Sequence, residues 1–275
     1  MPQARLTVVS VLCAVLACVA VPGAQDGSAT PLTRAQMADF LLHAKIVAHR
    51  SLSKGTTKPS RLTLSDGTIT HDAVFQSIDE TSDRQQFGSG RVELHFRDSY
   101  HYNIAAYRLA ELIGMGDMLP VTVERTWEGA KGSLAWWIDW KWDEVMRRKE
   151  DVHAPPDRAI SYTNQLHLSR LFSQLVDDTD RNQTNTLITA DWRLYMVDFT
   201  RAFRSAETLQ HPEAVQRCSR ETLEQLEALT RDTLVQTLKD HVEPAAVKGL
   251  LARRDEIVAR LRALIAERGE ATVLF

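Results

Sequence analysis

The sequence predicts an α+β fold in two lobes, and three observations carry that prediction. The first half of the chain holds short runs that alternate apolar and polar, with one helical stretch among them. The second half reads as helices. One strand–turn–strand interrupts those helices: Thr186-Leu187-Ile188-Thr189, a turn at Ala190-Asp191-Trp192-Arg193, then Leu194-Tyr195-Met196-Val197-Asp198. A sheet followed by helices is α+β order. The division puts the sheet lobe at 34–142 and the helical lobe at 143–275.

The sheet lobe is read element by element. A helix is expected within 31–48, where Met37, Phe40, Leu41 and Ala44 share a face. A loop follows at 53–59. Residues 61–65 alternate as a strand, Asp66-Gly67 turns the chain, and 68–78 continues the sheet. The stretch 79–90 is polar and is expected to be mobile. Residues 92–96 alternate again. Asp98 or Ser99 caps a helix through Ile104, Ala105, Tyr107, Leu109, Leu112 and Ile113, which Gly114 ends. Strands at 120–125 and 133–138 flank a Glu128-Gly129 turn. Trp127, Trp136, Trp137, Trp140 and Trp142 connect the lobes, and most are expected in the core between them, since Trp is usually largely buried.

The helical lobe starts after a proline-containing link at 151–157. Gln165, Leu168, Leu171, Phe172, Leu175 and Val176 follow helical spacing and lead into Asp180. From Arg220 the chain reads helical, broken near Pro244. Leu250, Ile257, Leu261, Leu264 and Ile265 form a late core-facing stripe.

Before both lobes, Arg5 precedes an apolar run at 6–21, and Pro22-Gly23-Ala24-Gln25-Asp26 breaks it. A positive start, an apolar middle and a small-residue exit make a secretory signal peptide at 1–24. The run is about 16 residues, short of the roughly 20 that a spanning helix needs. A mobile leader at 25–33 follows. The expected destination is the periplasm or the cell exterior, with no spanning segment in the mature chain. Val15-Leu16-Ala17-Cys18 also has the shape of a lipoprotein box, so a lipid anchor at Cys18 is the alternative. Cys218 is then alone in the mature chain, which rules out an internal disulfide there and suits a small buried apolar residue.

Composition narrows the function. The chain of 275 residues is 44% hydrophobic and 25% charged, with a net charge of −3. It has no basic block, which argues against nucleic acid as a partner. The nine His residues show neither HExxH nor Cys/His spacing for zinc.

The chemistry-bearing motif is Asp180-Arg181-Asn182-Gln183-Thr184-Asn185, with Asp198-Phe199 thirteen residues beyond Asn185. A hairpin brings its ends together, so Asn185 and Asp198 are expected to face one cation. An amide oxygen and a carboxylate beside a second carboxylate suit Mg²⁺ and phosphate. An EF-hand fails, because Gln183 stands where Gly is needed and Thr189 where Glu is needed. An Asp and an Asn five apart also occur in ordinary surface loops.

With these residues in view, the chain resembles the atypical kinase superfamily that includes phosphatidylinositol 3-/4-kinases, HipA-like kinases and secretory-pathway kinases. It is closest to uncharacterised bacterial members. Besides the catalytic segment, the resemblance rests on Leu62 to Gly67, His71 to Phe75, Ile104 to Leu109, Leu119 to Arg125, Asp198 to Phe203 and Leu251 to Asp255, spanning roughly 45–260. It implies a catalytic Asp180, with Arg181 bracing its loop. It implies Asn185 and Asp198 as Mg²⁺ ligands against ATP, and Lys54, Gly55 and Lys58 in a loop over the phosphates. Such kinases pair a strand Lys with a helix Glu. Here the strand position is Gln76. The helix position facing it is Asn103, with Glu111 as a substitute two turns on, and Lys54, Lys58 or Arg61 as replacements for the missing cation.

Two functions follow. One is a Mg-ATP-dependent phosphotransferase with an unknown hydroxyl acceptor on protein, lipid or small molecule. The other is an exported pseudokinase or binding module that has lost its grip on ATP.

Overall fold

The structure is a computed structural model that describes residues 31–52, 59–86, 88, 90 and 92–275. The expected signal peptide, Cys18 and most of the leader lie outside the described residues, as do Lys54, Gly55 and Lys58.

In chain order the elements are α1 (Arg34–His43), β1 (Lys45–Ser51), β2 (Ser60–Ser65), β3 (Thr70–Gln76), β4 (Asp79–Gln86), β5 (Val92–Ser99), α2 (His101–Leu112), β6 (Thr122–Trp127), β7 (Ala130–Trp136) and β8 (Trp140–Asp143). Then come α3 (Glu144–Lys149), α4 (Pro156–Leu175), β9 (Thr186–Thr189), β10 (Leu194–Met196), α5 (Arg220–Ala228), α6 (Arg231–Leu238), α7 (Pro244–Arg268) and α8 (Glu270–Val273). Five strands form a sheet in the order β1-β2-β3-β7-β6, each neighbouring pair antiparallel. The strands β10-β9-β8 form a second sheet, and β4-β5 a separate ribbon.

The helix expected within 31–48 is α1 alone. A capping box at Thr33 and Gln36 starts it, and it stops at His43. The chain then turns into β1, a strand that sequence reading absorbed into the helix. The Asp66-Gly67 turn joins β2 to β3 as expected: Asp66 Oδ1 accepts from the Thr68 and Ile69 N–H groups, and Gly67 supplies a φ of 90°. The segment 79–90, expected to be mobile, is largely β4, paired to β5 from Asp79↔Ser99 to Gln86↔Val92. The helix start is also corrected. Tyr100 is the residue before α2 and has no side-chain cap, while the Ser99 hydroxyl accepts from His101 N at 3.4 Å and donates to Asp79 Oδ1 at 2.7 Å.

Two apolar cores sit on either side of a cleft. The smaller lies between α1 and the five-stranded sheet and holds Phe40, Leu41, Leu62, Leu64, Phe75 and Leu134. The larger gathers α4, α7, the β9–β10 hairpin and one face of α2. Full burial of a Leu or Phe side chain stabilises by about 1.5–3 kcal/mol, so each lobe has its own cohesion. The helix α2 joins them: Ala105, Leu109 and Ile113 belong to the larger core, while Tyr107 packs on the smaller. Trp142 and Trp192 are buried in the larger core, and Trp127 packs on Phe75 with ring centroids 5.3 Å apart.

A buried cation organises the helical lobe. Arg253 of α7 is fully buried and donates to the carbonyls of Leu175 (2.9 Å), Arg204 (3.1 Å) and Ala206. It thereby ties α7 to the end of α4 and to the segment after Asp198. Gly249, one turn earlier, lets the helix approach: a Cβ there would lie 2.7 Å from the Ala206 carbonyl. At the C-terminus, Cys218 is buried, as expected. Its N–H donates to the Val273 carbonyl and its carbonyl accepts from Phe275 N, both at 3.2 Å.

Candidate active site

The candidate segment begins where α4 ends. Asp177 takes a positive φ of 49°, and Asp178 folds inward with only 1% of its side chain exposed. Burial raises the Asp178 pKa, and the Arg181 guanidinium opposes that rise at 2.9 Å. The pair is a close ion contact rather than an aligned hydrogen bond. The Asp180 carboxylate points the other way and is half exposed, with Arg201 Nη1 at 3.7 Å. The Asp180 carbonyl closes the loop by accepting from Asn182 N (2.7 Å) and Asn185 Nδ2 (3.5 Å). Since the Asn185 amide nitrogen is on that carbonyl, its oxygen is the atom left for a cation.

The hairpin register brings in Asp198. Thr186 pairs with Met196, and Val197 N donates to the Asn185 carbonyl at 3.0 Å. Asp198 follows at once, in the left-handed region with a φ of 60°. That conformation is uncommon for a residue with a side chain and is held only where surroundings over-determine it. Arg181 supplies part of the constraint: it donates to the carbonyls of Val197 (2.6 Å) and Asp198 (2.7 Å), and its guanidinium lies 4.4 Å from the Phe199 ring centroid. Arg181 thus binds the loop to the hairpin.

On the sheet side the partner is neutral. Gln76 Nε2 donates to Asp198 Oδ1 at 3.4 Å. Asn103 Nδ2 donates to Gln76 Oε1 at 2.7 Å and to Ser133 Oγ at 3.2 Å, while Asn103 Oδ1 accepts from Phe199 N at 2.8 Å. A chain of amides therefore runs from α2 through β3 to Asp198. Gly132 makes room for it, since a Cβ there would lie 2.4 Å from the Gln76 carbonyl.

These groups close the polar end of a cleft of about 190 Å³, whose other walls are apolar: Val74, Ala135, Leu187 and Met196, with Trp136, Trp137 and Trp140 along the connection between the lobes. Three of the five connecting tryptophans thus face the cleft, where inter-lobe core was expected for most. The connection is fixed from β3. His71 stacks on Trp136 at 3.7 Å, and Trp137 N donates to the Asp72 carbonyl at 3.0 Å.

Asn185, Asp198 and Gln76 therefore line one cleft, while Asp180 and Arg181 join them through the Asp180 carbonyl and the Arg181 guanidinium rather than as lining residues. Glu111 does neither: it pairs with Arg34 of α1 at 2.7 Å. Eight residues at about 100° each carry it some 80° around α2 from Asn103, which fills the facing position. Arg61 is engaged elsewhere, bonded to Asp72 at 2.6 Å and stacked 3.8 Å from a Trp137 ring centroid. Among the described residues, no Lys or Arg lines the cleft. Sequence reading missed Asp178 as the anchor of Arg181. It also missed Glu93, which pairs with both Arg201 and Arg204 and ties the β4–β5 ribbon to the segment after Asp198. The crowding of Arg201 and Arg204 behind Asp198 is the one sequence signal for a buried anion there.

No family model matches the chain, and no curated protein matches it. Solved structures do. A Fam20 protein of hydra, determined with a sugar, superposes with a TM-score of 0.60 at 13% identity, over 88% of this chain and 91% of that one. The chain has the kinase-like fold. CtkA, a proinflammatory kinase of Helicobacter pylori, is more distant, with a TM-score of 0.46 and 7% identity over 83% of this chain and 97% of that one. Among the described residues, no helix is long and apolar enough to cross a membrane.

Proposed function

We propose that the protein is a Mg-ATP-dependent phosphotransferase acting on a hydroxyl acceptor. The observation that carries this is the convergence of Asn185 and Asp198 at the polar end of an apolar cleft, with the Asp180 carboxylate half exposed on the same loop. The apolar walls and tryptophans suit a flat adenine ring, and the polar end suits the phosphates. One amide oxygen and one carboxylate fit Mg²⁺, which usually takes few protein ligands and completes its shell with phosphate oxygens and water. Asn185 and Asp198 would hold Mg²⁺, which would supply positive charge to offset the negative charge developing on the transferred phosphoryl group.

The chain's own residues do the rest. Asp180 orients the acceptor hydroxyl and takes its proton as the oxygen bonds to the γ-phosphorus, and ADP leaves. Arg201 offsets the Asp180 charge. Arg181 holds Asp198 in its left-handed conformation. Gln76 offers the phosphates an amide rather than an ammonium, a weaker contact because charge-assisted hydrogen bonds are about twice as strong as neutral ones. The expected signal peptide would carry this activity out of the cytosol.

The Gln76–Asn103 pair favours a second reading, a pseudokinase that binds nucleotide poorly or not at all. Thermal unfolding with Mg-ATP, with Mg-ADP and without nucleotide separates the two. Saturation at 100 times the Kd adds about 2.7 kcal/mol. Asp198→Ala should abolish that gain, while Asp180→Ala should keep the gain and lose transfer. No stabilisation by any nucleotide with any divalent cation sinks the phosphotransferase.

A further inference from the structure

Away from the cleft, three side chains from three elements converge. His101 opens α2, Glu124 lies on β6, and His241 sits in the turn between α6 and α7. His101 Nδ1 is 2.9 Å from His241 Nδ1 and 4.0 Å from Glu124 Oε2. One donor atom from each of the three lies within 4.8 Å of the other two. His241 is buried, and the other two are partly exposed.

The donor set and spacing suit a metal. Bonds of about 2.0–2.1 Å at tetrahedral angles separate neighbouring ligand atoms by about 3.3 Å. The two distances from His101 bracket that value, and all three donor atoms lie close enough for small side-chain shifts to bring them round one ion. Two imidazoles and a carboxylate select zinc-class ions over Mg²⁺ and Ca²⁺, which prefer all-oxygen shells. The partly exposed side leaves a fourth position for water. The supporting contacts are present as well. Tyr100 stacks on His101 with centroids 4.1 Å apart, and its hydroxyl donates to Glu124 Oε2 at 3.4 Å. Such contacts hold ligands in orientation. Lys131, 3.8 Å from Glu124, is well exposed and free to swing aside when a cation takes the carboxylate.

We infer that His101, Glu124 and His241 form a zinc-class metal site that fastens the start of α2 and strand β6 to the α6–α7 turn. His101 is two residues before Asn103, the amide that links Gln76 to Phe199. The metal therefore holds α2 where it sets the sheet side of the cleft. The site stands whether or not the cleft transfers phosphate.

The test is a Co²⁺ titration of the full-length protein after chelator treatment, followed by displacement with Zn²⁺. One equivalent of Co²⁺ with the visible absorption of a four-coordinate ion is expected, together with a higher Tm. Glu124→Gln and His241→Ala should each weaken binding tenfold or more. Asp198→Asn should leave the absorption unchanged, which separates this site from the cleft. Absence of a stoichiometric Co²⁺ or Zn²⁺ site in the unsubstituted protein overturns the inference, and that measurement needs no variant to fold. So does equal Co²⁺ affinity in Glu124→Gln, whose partly exposed position tolerates an amide. If the two imidazoles merely share a hydrogen bond, the titration is flat.

Discussion

The two walls of the cleft are built from opposite materials. The hairpin wall is ionic: Asp178, Arg181 and Arg201 crowd behind Asp180 and Asp198, and Glu93 and Arg204 extend the set. The sheet wall is built, among the described residues, from neutral side chains: Gln76, Asn103 and Ser133 are joined by amide and hydroxyl hydrogen bonds. The difference teaches where charge is needed. A left-handed Asp198 and a turned loop need strong, directional anchors, and charge-assisted bonds supply them. An ammonium beside Asp198 would offset the negative charge that attracts a divalent cation. The Gln76 amide bonds the same carboxylate and leaves its charge intact. Through this bond the sheet wall positions Asp198 without compensating its charge.

Removing the ionic wall's centre should have the largest effect. Arg181→Ala leaves the Asp178 carboxylate buried without its counter-charge, which costs about 3–5 kcal/mol by analogy with other broken buried pairs. Urea denaturation reads it, and a loss below 1 kcal/mol would mean that the ionic wall is no more cohesive than the neutral one. A middle effect is expected on the sheet side. Asn103→Ala strands the Phe199 N–H, at about 1–3 kcal/mol for an unsatisfied buried group. A loss equal to that of Arg181→Ala would erase the contrast. The smallest stability change, within about 1 kcal/mol, should come from Gln76→Lys, where the informative quantity is affinity. Exchanging a neutral for a charge-assisted phosphate contact should tighten Mg-ATP roughly tenfold. Calorimetry showing weaker binding would indicate that the new ammonium pairs with Asp198 and competes with the cation.

The ionic wall was the more legible of the two in the sequence. Asp180, Asn185 and Asp198 are fixed by local spacing and by a hairpin whose strands alternate, so the chain itself reports their meeting. The α+β order was legible for the same reason: each element of the large core has an apolar face with its own period. What escaped lacks that local signal. The β4 run Asp79–Gln86 is polar throughout because its ribbon is mostly solvated, so no alternation marks it. The β1 strand Lys45–Ser51 is an edge strand, exposed along nearly its whole length. Glu111 was attractive by charge, but helical rotation turns it toward Arg34. His101, Glu124 and His241 are scattered along the chain, and only the packing of α2 against both lobes brings them together.

The docked C-terminus has a practical consequence. Burial pushes the Cys218 thiol up to about 12. At neutral pH its ionised fraction is on the order of one in 100,000, so reagents that attack thiolates meet an inert group while the last residues stay zipped to it. Alkylation at Cys218 therefore counts only molecules whose tail has come away, which gives the helical lobe a built-in gauge of its own unzipping.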